Sequence, residues 1–233
     1  MPSDSDAIAA RPGALSFAPL LYATTYLHPG RIDDAFERLL GGVDMYTLRS
    51  EQTTGGEVGW NWVLSIKGKA DRSGGEDITF NLQKPLVRAL VLRAYLERER
   101  RVDLDIRSAR ALSHVLARGR GSFAYPAKEG GPRNSLDNLL PRDVATEIQV
   151  ERDARNIKRY DDHHPEYWTL YCNTPNGLGV AFLGLRELLD PSTTVSLSGQ
   201  PLNWCIFGTK IKDGPSGWTL LNPFHAWQEP SDT

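Results

Sequence analysis

The chain has 233 residues and a mass of 25.9 kDa, which corresponds to one large domain or two small ones. Hydrophobic residues make up 40% of it and charged residues 24%, and this ordinary globular composition excludes a disordered chain, a collagen-like repeat and a disulfide scaffold. The net charge is −2, and the longest run with neither a polar nor a charged side chain, residues 177–185, is far shorter than the roughly 20 residues that cross a membrane. We therefore expect no membrane partner.

Positive charge is concentrated in the middle of the chain. Residues 84–120 contain ten basic and four acidic residues, a net charge of +6, whereas the segments before and after them each carry −4. A basic block of this kind contacts phosphate in nucleic-acid-binding proteins. It is equally typical of the solvated face of one or two helices, and both interpretations stay open.

The N-terminal part of the chain predicts a tail, a strand and a helix. Residues 1–14 are polar, and residues 15–27 have the apolar, aromatic and threonine content of a strand. Apolar residues at helical spacing then predict a helix that ends at Gly41, where glycine adopts a left-handed conformation at little cost.

The clearest pattern in the sequence is a run of alternating apolar residues. Positions 58, 60, 62, 64 and 66 are all apolar, which indicates a half-buried antiparallel strand. Residues 77–82 repeat the alternation after a polar, glycine-containing segment. We therefore predict that residues 58–67 and 77–82 pair as a hairpin, with Trp60 and Trp62 on its covered face.

Two helices and a short strand are predicted next. Residues 86–101 form the first helix and residues 102–106 the strand, so the order up to this point is that of a ferredoxin-like, split βαβ unit. A second amphipathic helix is predicted over residues 107–118. Its apolar positions are Ala109, Leu112, Val115 and Leu116.

The second half of the chain begins with a segment rich in glycine and proline and ends in strands. Pro141 opens a predicted helix over residues 142–160, and strands follow from residue 167. The predicted class is α+β, with antiparallel sheets on either side of a helical middle. The predicted segments are a tail (1–14), a βαββα(β)α unit (15–118), a loop or linker (119–135) and a helix with a β-rich part (136–233), packed as one compact body.

The two cysteines, Cys172 and Cys205, have no metal-binding or redox spacing. The first residues carry acids where an export signal needs cations, and they lack a continuous apolar core. We therefore expect free thiols and a cytoplasmic (intracellular) or particle-associated location.

A Cys/His thiol hydrolase, similar to papain-like proteases, is one enzymatic alternative. Cys172 precedes a polar turn, and His225 lies 53 residues later in an aromatic segment, an order in which the imidazole could take the thiol proton. The pattern departs from that family because Cys172 is followed by Asn-Thr-Pro-Asn-Gly and not by a helix, whose N-terminus would lower the thiol pKa. We predict that neither cysteine is catalytic.

A metal site is a second chemical alternative. Asp103 and Asp105 lie two residues apart on a predicted strand, so their carboxylates share one face, as a divalent cation requires. Nucleotidyl transferases use such a pair together with an upstream Gly-Ser turn that holds the triphosphate. Residues 84–101 of this chain contain no glycine or serine. An edge strand with solvated acids, or Asp105 as a helix cap, explains the pair without a metal ion, and we expect no cofactor.

Nucleic-acid binding is the main alternative to a purely structural role. Cations lead directly into aromatic residues on a glycine-rich segment, and such aromatic rings stack on unpaired bases. The residues concerned are Arg107, Arg110, Arg118, Arg120, Phe123 and Tyr125. The pI of about 6.2 and the absence of an RNP-type motif argue against it.

The function that we expect first is protein contact. The chain has six tryptophans, which lie in or beside the predicted strands: Trp60, Trp62, Trp168, Trp204, Trp218 and Trp227. Tryptophan and arginine dominate the energetics of protein interfaces. We therefore expect a non-enzymatic assembly or interaction subunit that associates with itself or with other subunits, such as those of a viral or mobile-element particle.

Overall fold

The computed structural model describes residues 24–41, 43–52, 58–66, 77–82, 84–124, 140–157, 167–189 and 201–229, and over residues 43–81 it describes the backbone alone. The chain divides into two compact units. One contains Met1–Phe17 and Gly30–Arg98, and the other contains Ala18–Pro29 and Glu99–Thr233.

The first unit contains two helices and a three-stranded sheet. The helices are α1 (Pro29–Leu40), which begins at the boundary between the units, and α2 (Pro85–Arg98). The strands are β2 (Val43–Gln52), β3 (Val58–Ile66) and β4 (Asp77–Asn81), in the order β3-β2-β4 and all antiparallel. The helix predicted to end at Gly41 is confirmed.

The predicted hairpin of residues 58–67 and 77–82 is wrong. Both strands exist, but each pairs with β2, which lies between them and had no clear apolar alternation to reveal it. Trp60 and Trp62 lie opposite Ser50 and Leu48 of β2. The burial of the two tryptophan side chains lies outside what the structure describes.

One arginine connects the elements of the first unit. Arg88 of α2 donates from Nη1 to Asp33 Oδ1 of α1 at 2.8 Å and from Nε to the carbonyl of Leu82 at 2.5 Å. Its guanidinium also lies 5.4 Å from the ring centre of Phe36, a cation–π distance.

The second unit is a closed five-stranded barrel. Its strands are β6 (His114–Ala124), β7 (Tyr167–Asn173), β8 (Gly179–Leu185), β9 (Leu202–Asp213) and β10 (Trp218–Glu229). The ring runs β6-β7-β8-β10-β9 and closes because β9 pairs with both β10 and β6. The β8–β10 pair is parallel and the other four are antiparallel. Two short strands extend the wall: β1 (Thr24–Leu27) beside β10 and β5 (Val102–Asp103) beside β6.

The predicted ferredoxin-like α+β fold with a helical middle is therefore wrong. The decisive segment is residues 107–118, where a helix was predicted and where β6 begins. Side chains of β6 alternate across the barrel wall, so Val115, Ala117 and Phe123 join the interior. The strand also continues into the predicted loop, of which residues 125–135 lie outside the described part.

Gly121 shows why β6 can lie so close to β7. A Cβ added at this position would sit 1.9 Å from the carbonyl oxygen of Tyr171. Glycine is thus required here for the approach of two strands. In the sequence, the same glycine contributed to the incorrect prediction of a loop.

The barrel interior is rich in aromatic side chains. Phe123 contacts Phe182 and Trp204 edge to face, with ring centres 5.8 and 5.1 Å apart. Trp204 donates from its indole nitrogen to the carbonyl of Gly121 at 2.8 Å. Tyr26 of β1 packs against Phe182 and ties the added strand to the same core.

The third helix, α3 (Arg142–Ile157), covers the outer face of β7, β8 and β10. Its buried residues Val144, Ala145 and Ile148 pack on the strands. Two acids four residues apart attach the helix to the β9–β10 hairpin: Glu147 accepts hydrogen bonds from Ser216 and Trp218, and Glu151 pairs with Lys212. The prediction of a helix starting near residue 142 is confirmed.

No helix within the described ranges is both long enough and apolar enough to cross a membrane. The strand predicted at residues 193–197 lies outside those ranges.

Candidate functional site

Exposed apolar residues point to one surface of the barrel unit. Among the residues that the structure describes, three large apolar side chains are exposed: Leu104 by 71%, Leu112 by 79% and Val150 by 61%. Leu104 and Leu112 both lie in the connection between β5 and β6, residues 104–113. Isolated exposed apolar residues are common, and two on one short connection make that connection the candidate contact surface.

The backbone of this connection is strained at Leu112. Its φ is 68°, and Arg100, just before β5, has a φ of 53°; within the described ranges these are the non-glycine residues in the left-handed region. Such conformations cost about 1–3 kcal/mol each and cluster at functional sites. The strain at Leu112 is held by two backbone hydrogen bonds to β9, from Leu112 N to the Lys210 carbonyl at 2.7 Å and from Lys210 N to the Ser113 carbonyl at 3.0 Å.

A buried lysine of β9, Lys210, hydrogen-bonds to the connection. Lys210 is almost fully buried, and its Nζ donates to the carbonyl of Ile106 at 3.0 Å and pairs with Asp213 Oδ2 at 2.9 Å. Burial acts to raise the pKa of Asp213, but hydrogen bonds from Thr219 and Lys210 outweigh it and the pKa is lowered. The buried cation is therefore matched by a carboxylate and a carbonyl.

The two aspartates considered as metal ligands have other surroundings. Asp103 is exposed at the end of β5. Asp105 caps a local turn, because its Oδ1 accepts from Arg107 N at 3.1 Å and its carbonyl accepts from Ser108 Oγ at 3.1 Å. No group of three or more His, Cys, Asp or Glu side chains among the described residues is placed to hold a metal ion.

A pocket of about 290 Å³ opens beside the connection, between β6 and the β7–β8 turn. Its lining is mostly apolar, with Arg118 and two polar turn residues. The lining residues are Leu104, Ile106, Leu116, Arg118, Thr174, Pro175, Asn176 and Leu178. Arg118 also pairs with Glu229 of β10, with 3.4 Å between Nε and Oε1. We call residues 104–113 together with this pocket the β5–β6 surface.

The structure brings three of the four predicted cations, Arg107, Arg110 and Arg118, to this surface, but not the predicted aromatic rings. All four arginines of the nucleic-acid hypothesis are exposed, on the connection and on β6: Arg107, Arg110, Arg118 and Arg120. Phe123, in contrast, is buried in the barrel interior, and Tyr125 lies outside the described residues. None of the aromatic side chains that the structure describes is exposed.

The Cys172 thiol and the His225 ring are not brought together. Cys172 is in the interior cluster, and burial, followed by the nearby Cys205, raises the pKa of its thiol well above the usual value. On β10 it is Ala226 that joins this cluster, so the preceding His225 lies on the opposite face of the wall. There its Nε2 is 3.2 Å from Thr24 Oγ1.

Sequence reasoning missed Leu104, Leu112 and Lys210 as site residues. Leu112 was assigned to the buried face of a predicted helix. No local sequence pattern indicates that Lys210 is buried. Comparison of the chain with protein-family models, with curated proteins and with solved structures finds no match.

Proposed function

We propose that the protein is a non-enzymatic assembly subunit that binds further copies of itself through the β5–β6 surface. The observation that carries this proposal is Leu112, an exposed leucine held in a left-handed conformation by hydrogen bonds to a braced strand. A rigid, strained loop that presents an apolar side chain is better suited to binding a partner than to stabilising its own fold.

The rest of the β5–β6 surface favours a protein as the bound molecule. The pocket, which Leu104 lines, has the size of one or two side chains and a mostly apolar lining, which suits a buried anchor residue. The exposed arginines around it supply a polar rim that favours carboxylates.

Nucleic acid is supported less well. Binding of unpaired bases relies on exposed aromatic rings, and the described aromatic residues are not exposed. In five-stranded barrels that bind oligonucleotides, the outer face of the second and third strands is the usual binding surface. Here those strands are β7 and β8, and α3 covers them.

Charge favours a second copy as the partner. Residues 84–120 carry +6 and the rest of the chain is acidic, so two copies attract each other when the basic segment of one meets an acidic surface of the other. This attraction between unlike surfaces favours binding of a second copy and needs no other partner molecule.

The variant Leu112→Asn tests this function because it separates binding from folding. Asparagine tolerates the left-handed region, so we expect the free energy of unfolding to rise by about 0.5–1 kcal/mol. Loss of the apolar side chain should at the same time lower self-association at least tenfold. Light scattering after size exclusion measures the second effect and urea titration the first.

The matched control is Glu187→Ala, an exposed residue after β8, at the barrel end opposite the pocket. It should assemble like the wild type. Unchanged assembly of Leu112→Asn would refute the role of Leu112. Binding of single-stranded RNA that is lost in Arg118→Ala/Arg120→Ala, with no self-association of the wild type, would favour the nucleic-acid hypothesis instead.

A further inference from the structure

The third exposed apolar residue lies on α3, away from the β5–β6 surface. Val150 is 61% exposed, and the exposed residues Asp143, Thr146 and Asp153 share its side of the helix because they lie seven, four and three residues away. We call these four residues the α3 stripe. It consists of one apolar side chain, a threonine and two carboxylates.

The α3 stripe is held on a firmly attached helix. The side-chain amide of Gln149 donates to both carboxylate oxygens of Asp153, at 2.8 and 3.0 Å, and its Oε1 accepts from the Arg152 guanidinium. Glu147, three residues before Val150, binds the β9–β10 turn through Ser216. A preordered surface of this kind loses little entropy on binding.

The α3 stripe and the β5–β6 surface are chemically complementary. One presents an apolar centre with carboxylates, and the other presents two leucines and a pocket with arginines. The three exposed large apolar side chains of the described chain are thus divided between an acidic surface and a basic one. The two surfaces lie on different elements of the same barrel unit.

We propose that copies associate head to tail, with the α3 stripe of one copy bound to the β5–β6 surface of the next and Val150 directed to the pocket beside Leu104. This proposal rests on the proposed function and names its binding partner. A contact between two different surfaces leaves one of each free at the ends, so it produces rings or filaments and not a closed dimer.

Two blocked variants test the head-to-tail arrangement. Leu104→Asp places a negative charge in the β5–β6 surface, and Val150→Lys places a positive charge in the α3 stripe. Both positions are exposed, so folding should be retained, which circular dichroism and urea titration check. Each variant alone should remain monomeric at concentrations where the wild type assembles.

An equimolar mixture of the two variants gives the decisive result. The intact α3 stripe of Leu104→Asp can bind the intact β5–β6 surface of Val150→Lys, so we expect a species of at least twice the chain mass. The charges introduced at positions 104 and 150 are opposite, so attraction between the two altered surfaces adds to the assembly and does not oppose it. Assembly of Val150→Lys alone, or a mixture that stays monomeric while the wild type assembles, would overturn the head-to-tail arrangement but leave the proposed function standing. Assembly of Leu104→Asp alone would contradict both, because it would show that copies bind without the β5–β6 surface. A monomeric wild type would instead refute the proposed function. The control Glu187→Lys introduces a charge of the same sign as Val150→Lys at the opposite end of the barrel and should assemble as the wild type does.

Discussion

Leu112 and Lys210 are linked through the backbone, and this link explains how an exposed leucine keeps a left-handed conformation. The amide of Leu112 and the carbonyl of Ser113 both bond to Lys210. The side chain of Lys210 in turn holds the carbonyl of Ile106. The connection is therefore fixed at both ends by one residue of β9, and its two leucines are presented on a rigid support.

Cys172 and Cys205 allow a test at the level of single residues. Both thiols are buried, and burial raises the pKa of Cys172, so little thiolate is present at neutral pH. We expect native protein to show no mass change after brief iodoacetamide treatment at pH 7, whereas urea-unfolded protein should take up an adduct at each of its two cysteines. Rapid labelling of Cys172 in the native protein would revive the thiol-hydrolase alternative.

Among the elements, α3 depends on carboxylates for its attachment to the barrel. A hydrogen bond from Ser216 lowers the pKa of Asp143, and hydrogen bonds from Ser216 and then Trp218 lower that of Glu147. A carboxylate with a lowered pKa in the folded state stabilises that state when it is ionised. Its contribution is complete above about pH 5 and is lost as the pH falls below about 4.

Acidification should therefore weaken the attachment of α3. We expect the urea midpoint to fall between pH 6 and about pH 3.5, and to fall less in Glu147→Gln, which cannot lose a charge at this position. Glu187→Gln, a change of the same chemistry on the exposed 3₁₀ turn Arg186–Leu188, should keep the wild-type pH profile. Identical profiles for all three proteins would show that Glu147 does not contribute.

The element that sequence analysis failed to predict is also the one that organises the barrel. β6 contains apolar residues that fit a helical repeat as well as an alternating one, and two glycines that resemble a loop. Its pairing with β7 and β9 decides between these possibilities, and such long-range pairing leaves no local signal. Where local patterns were unambiguous, as in α1, α3 and β7, the predictions are confirmed.

The candidate site was predictable only in part, for the same reason. The four arginines are recognisable as a basic block, and the structure does expose them. Leu104 and Leu112 are exposed because they lie in the connection before β6. Phe123 is buried because its face of β6 points into the barrel. The residue types alone do not show which of these apolar side chains is exposed and which is buried.

At the scale of the whole molecule, the charge distribution links the two proposals. The basic segment contributes the β5–β6 surface, and the acidic C-terminal part contributes the α3 stripe. Attraction between copies should thus be partly electrostatic and weaken as salt screens it, with a Debye length of about 10 Å at 0.1 M. The apolar contacts should keep some association at high salt.

The most direct test of self-assembly is the mass of the wild-type protein measured by light scattering over a range of protein concentrations at two salt concentrations. We expect a mass above the 25.9 kDa of one chain, increasing with protein concentration and decreasing with added salt. A mass of 25.9 kDa at every protein and salt concentration would contradict the account.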